Sequence, residues 1–131
     1  MDAAAAGDAG MTEAADLPRI VGDAFALPDG MGAGAAWRLE PSSRGLDANV
    51  IVLPAGDEIQ RHEGPALDVL LLVLDGSGTL ETDGGALALS PGALVWLPPR
   101  SHRRIVADGA GLRYFSVHGR KPGLGIARRP E

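Results

Sequence analysis

Residues 56–78, GDEIQRHEGPALDVLLLVLDGSG, decide how the rest of the chain is read. The stretch opens on Gly56, passes His62, crosses an apolar run at 69–74 and closes on Gly76-Ser77-Gly78. The run is far shorter than the roughly 20 residues a membrane helix needs, and its flanking turn residues predict a buried β-strand. Working outward, the same alternation of short apolar runs and turn signals predicts a brief strand around Trp37 and Leu39, then strands at 49–53, 58–62, 68–74, 79–82, 86–89, 94–97, 103–106 and 112–118. Asp83-Gly84-Gly85 reads as a hairpin turn, because its central positions favour residues tolerant of positive φ. The Gly76–Gly78 stretch and residues 108–111 read as further turns. No segment has the length or period of a sizeable helix, so the class is all-β.

Composition narrows the possibilities. At 131 residues the chain is one domain's worth, with a formal net charge of −5. Cysteine is absent, which removes disulfides, thiolate metal ligands and cysteine nucleophiles together. The first residues carry aspartates and no basic region, so they do not read as a signal peptide; the expected location is cytoplasmic, with no membrane partner. Arginines gather toward the C-terminal end, but an acidic chain without interleaved aromatics is a poor polyanion binder, so no nucleic-acid partner is expected. Residues 1–16 read as a flexible leader and 17–131 as a single domain with its core at about 37–118 and a C-terminal arm at 119–131. Within it, 17–27 reads as a short edge strand or a bound arm, kept from helix by Pro18 and Pro28. Neither a Ser-His-Asp arrangement nor a phosphate loop can be assembled from the spacing.

Gly56, His62 and Gly76 fall close to the first motif of the cupin superfamily, which runs Gly, five residues, His-x-His, three or four residues, Glu, six residues, Gly. Gly64 stands in the second histidine slot, and the carboxylate slot is Asp68 or Val69 according to the interval chosen. Gly92 and Pro98, within PGALVWLPP, resemble the second motif; Arg100 takes its glycine slot, Arg103 its histidine slot and Ala107 its asparagine slot. The resemblance implies a small cupin-like double-stranded β-helix, a jelly-roll barrel, and a homodimer formed sheet against sheet. In metal-holding cupins the motif histidines and carboxylate point into the barrel and bind iron, manganese, nickel or zinc.

Two function classes follow. The first is a barrel that binds a small polar or anionic ligand in its mouth, with no tight metal site, because glycine offers no side-chain donor and a guanidinium stays protonated. Strand alternation turns Arg103 and Ile105 inward together and His102 and Arg104 outward. Gln60 shares the parity of His62, and Tyr114 that of Ser116, so the expected ligand-binding set is Gln60, His62, Asp68, Arg103, Tyr114 and Ser116. Arg103 is expected to pair with Asp68 when the barrel is empty. The alternative is a metal-dependent oxygenase, isomerase or decarboxylase with His62 as a ligand, its site completed by Asp68, His102 and His118. Trp37 and Trp96 are read as core or subunit packing.

Overall fold

A computed structural model describes residues 17–27 and 33–120. The expected leader at 1–16 and most of the C-terminal arm lie outside the described residues. The described chain forms seven β-strands: β1 (Gly34–Arg38), β2 (Leu46–Leu53), β3 (Glu58–Glu63), β4 (Val69–Thr82), β5 (Gly85–Leu89), β6 (Leu94–Leu97) and β7 (His102–Gly119). All pairings are antiparallel.

Two strands are much longer than the sequence pattern predicted. β4 joins the expected strands at 68–74 and 79–82, and β7 joins those at 103–106 and 112–118. Gly76-Ser77-Gly78 and residues 108–111 are therefore corners within strands rather than turns between them. The β4–β7 register slips between Val73 and Asp75 and again between Gly76 and Gly78, which are bulges that bend the ladder. Beyond the corner each strand exchanges partners. The first half of β4 lies between β6 and the second half of β7, which continues to β2 and β1. The second half of β4 lies between β5 and the first half of β7, which continues to β3. Two sheets sharing two bent strands face each other, the jelly-roll solution to many short edges.

Inward positions follow the two-residue period. Val69, Leu71 and Val73 of β4 meet Leu97, Leu53, Leu112 and Tyr114 from one sheet and Leu80, Leu89, Ile105 and Ala107 from the other, in one buried cluster. Leu80 is fully buried. Arg104, on the opposite parity, ties three strands on the outer face: it donates to Glu81 of β4 at 2.7 Å and to Glu58 of β3 at 2.5 Å. Residues 17–27 form no strand and are held as an arm. Trp37 Nε1 donates to the Val21 carbonyl at 2.9 Å, and Arg113 donates to the Ala24 carbonyl at 3.4 Å.

The motif positions explain themselves in the backbone. Gly56, Gly76 and Gly92 all have φ between 78° and 92°, and Arg100, in the glycine slot of the second motif, keeps the left-handed conformation at φ 62°. A β-carbon on Gly76 would run into the Gly111 carbonyl, backbone that cannot move aside. Gly76→Ala is thus expected to cost about 2–4 kcal/mol in urea unfolding. Arg100→Gly should gain about 0.5 kcal/mol, since relief of left-handed strain outweighs the added freedom of the unfolded chain. A near-zero effect of Gly76→Ala would show that the corner does not depend on glycine, and a loss of stability in Arg100→Gly would show that the left-handed Arg100 is not strained.

Candidate ligand cavity

The space between the two sheets is not entirely filled. A cavity of about 210 Å³ is walled by Ile51, Ile59, Val69, Leu71, Leu97 and Ile105, with Asn49, His62, Arg103, Tyr114 and Ser116 as its polar groups. Each sheet contributes. β2, β6, the first half of β4 and the second half of β7 form one wall, and β3 with the first half of β7 forms the other.

Arg103 dominates the electrostatics. It is 5% exposed, the one buried charged or polar residue among those described. Its Nε donates to the Ser101 carbonyl at 3.3 Å and one terminal nitrogen donates to Ser101 Oγ at 2.8 Å. No carboxylate lies within ion-pair distance among the described residues. Burial pushes its pKa down, but arginine titrates so high that the guanidinium remains charged. A β-carbon on Gly64 would overlap this guanidinium, so the glycine in the second histidine slot provides the room that the arginine fills. Tyr114 is likewise 5% exposed, and burial pushes its phenol up to about 12, with a small opposing pull from Arg103. Its hydroxyl makes no hydrogen bond among the described residues.

Of the residues expected at the site, Arg103, Tyr114, His62 and Ser116 line the cavity. His62 sits at the rim, exposed, with Nδ1 3.0 Å from the Gln60 carbonyl oxygen. Gln60 and Asp68 are not brought there. Between the pairs Ile59↔Ile105 and His62↔Arg103, β3 advances three residues while β7 advances two. This bulge places Ile59 and His62 at the cavity together and leaves Gln60 exposed outside it, breaking the simple parity argument. Asp68 is exposed and accepts from Trp96 Nε1 at 2.8 Å, while Val69 turns inward. The expected Arg103–Asp68 pair is therefore not formed. Nor does the alternative metal set assemble. His102 faces outward, its Nδ1 3.5 Å from Asp83, and His118 lies at the far end of β7 with Nδ1 2.8 Å from the Gly119 carbonyl.

The residues at the four cupin ligand slots are thus His62, Gly64, Val69 and Arg103, one imidazole and a permanent cation. That donor set does not fit a divalent metal, and among the described residues no three His, Asp or Glu side chains converge to hold one. Asn49 was missed in the sequence reading. Its signal was available, as an amide interrupting the apolar ANVIVL run at the parity that pairs it with Ser116, whose Oγ donates to Asn49 Oδ1 at 2.9 Å.

The fold defines a β-barrel of the cupin type with a cavity between its sheets. A family model described as "AraC-like ligand binding domain" matches residues 55–124, just over half of the chain, and the chain belongs to that family. No curated protein matches it at a significant level. Among solved structures it is similar to a Cupin 2 conserved barrel domain protein from Salinispora arenicola, with 21% identity and TM-score 0.61 over 78% of this chain and 87% of that one. It is also similar to a cupin superfamily protein from Desulfitobacterium hafniense, with 16% identity and TM-score 0.55 over 66% and 74%. A cupin sugar phosphate isomerase from Silicibacter pomeroyi matches with 20% identity and TM-score 0.54 over 60% and 53%. At these identities the likeness is one of fold.

Tyr114 is the single tyrosine, which makes its titration readable. The unfolded chain releases the phenol proton near pH 10 while the folded chain keeps it to about 12. The Tyr114 contribution to stability should therefore be constant below pH 10 and fall as pH rises from 10 to 12, by up to about 1.4 kcal/mol per unit. Denaturant unfolding followed with phenolate absorbance checks this; Tyr114→Phe should remove that component of the slope, and phenolate appearing near pH 10 in the folded protein would contradict it.

Proposed function

We propose that this barrel captures a small organic anion, a carboxylate above all, between its sheets, acting as a ligand-binding module. The observation that carries the proposal is the Arg103 guanidinium, 5% exposed, neutralised by no carboxylate among the described residues and bordering a cavity of about 210 Å³. A buried charge without a counter-ion is costly, and an anionic ligand supplies that counter-ion. Among the described residues the guanidinium makes two hydrogen bonds, both to Ser101, so part of its fork of five N–H donors remains for a planar carboxylate, with the Tyr114 hydroxyl as a further donor. The aliphatic wall receives the ligand's apolar body. The family description supports a ligand-binding role. The competing metal-enzyme reading finds no support in the donor set at the four slots.

Thermal melting and calorimetry with benzoate and hexanoate as probes test this. Saturating carboxylate should raise the melting temperature, and Arg103→Gln should reduce affinity at least tenfold. Gly64→Ala is the second variant, because its methyl group displaces the tip of a flexible side chain rather than backbone. It should weaken carboxylate binding while the fold survives. Full carboxylate affinity in both variants would overturn the assignment.

A homodimer is part of the same proposal. On the outer face of the β6-bearing sheet, Leu70 pairs with Trp96 and Leu72 with Leu94, and β7 continues the rows with Val117 and Phe115. Leu70 is 47%, Leu94 68% and Trp96 64% exposed, an apolar patch on a sheet face rather than scattered residues. A second copy applying the same face would bury it. Light scattering should give twice the chain mass, and Leu94→Asp with Trp96→Asp should give the single mass with the circular dichroism spectrum kept. A single mass for the unaltered chain would reject the dimer.

A further inference from the structure

The ladder between β2 and β7 runs past the cavity to a second, more polar hollow. Leu53↔Leu112, Ile51↔Tyr114, Asn49↔Ser116 and Asp47↔His118 are consecutive pairs on the inner face, a gradient from apolar to charged. Asn49 and Ser116 border both the inner cavity and an adjoining hollow of about 290 Å³, which is also lined by Arg38, Arg44, Asp47 and His118. The Ser116–Asn49 hydrogen bond thus lies where the two meet.

The outer hollow is cationic in a protein whose net charge is −5. Its carboxylate, Asp47, is held below its usual range first by the Arg44 hydrogen bond at 2.8 Å, and also by the charges of Arg44, His118 and Arg120. With Asp47 taken by Arg44, positive charge remains. The Arg38 side chain makes no hydrogen bond or ion pair among the described residues. The His118 ring donates through Nδ1 to the Gly119 carbonyl, so its unpartnered Nε2 donates to a carboxylate in the imidazolium form, the form that a bound anion favours. Four residues of strand separate Tyr114 from His118, about 13 Å. Donor groups reaching in from both ends shorten the gap to the length of a chain of six to eight carbons.

We infer that the ligand is two-headed, a linear dicarboxylate with one head on Arg103 and Tyr114 between the sheets and the other on Arg38 and His118 at the mouth. This rests on the carboxylate reading of the inner cavity and adds the second head. Asn49 keeps both amide N–H donors for a polar group at the middle of the ligand.

Calorimetry on the full chain with octanoate and suberate, a matched pair differing in the second carboxylate, tests the inference. Suberate should bind at least tenfold more tightly, with an advantage that shrinks as salt is raised. Arg38→Gln with His118→Gln should erase that advantage and leave octanoate affinity unchanged, whereas Arg103→Gln should weaken both. Equal binding of the two probes, or an advantage that survives the double substitution, overturns the second head while leaving the inner site standing. Failure of both probes to bind the unaltered chain overturns the inner site and the inference together.

Discussion

The structure depends on the passage of β4 and β7 from one sheet to the other while still paired with each other. A straight strand of 18 residues, the length of β7, would reach about 60 Å, whereas a compact chain of this size has a radius of gyration near 14 Å. The strand must bend, and its neighbour must bend with it. The bend is made by register slips on β4 around Gly76, where φ is 78° and the Gly111 carbonyl passes so close that no side chain fits. A β-branched residue at either position would straighten the strand or separate the pair. Everything inside the barrel is placed by this corner.

The site is its direct product. Arg103 and Tyr114 belong to one strand and would stand about 36 Å apart if it were straight. Folded over, they face the same cavity closely enough that the guanidinium pulls on the phenol's proton affinity. Arg103 comes from the half of β7 that pairs with β3, which brings His62 opposite it. Tyr114 comes from the half that pairs with β2, which brings Ile51 opposite it and Asn49 opposite Ser116. Long-range geometry of this kind fixes both donors on strands rather than loops, a rigid footing for recognition.

What the sequence made legible follows from periods and slots, and what it hid follows from local departures from them. The all-β class, the cupin barrel, most strand positions and the cavity positions of His62, Arg103, Tyr114 and Ser116 come from alternation and motif spacing. The corners were misread because a glycine cluster looks the same whether the chain reverses or bends within a ladder; the outcome depends on the partner strand, which local sequence does not specify. Gln60 was misplaced by one extra residue in β3, invisible without the register. Asp68 was assigned by the family's carboxylate slot, but counting back from Gly76 gives Val69, which the core takes because an apolar side chain gains by burial what a carboxylate would lose.

The departures from the metal-holding pattern form a consistent set when considered as charge and volume. Replacing histidine by glycine at 64 empties a side-chain volume; the arginine at 103 occupies it, and neither change packs well without the other. A carboxylate at 69 would have faced the same cavity as that guanidinium and offset its charge from within, leaving an interior with little reason to admit an anion. Valine leaves the charge uncompensated from within. The interior then has one positive centre with unused donors, an adjacent phenol and an aliphatic wall, a combination whose largest remaining gain in free energy comes from a negatively charged guest.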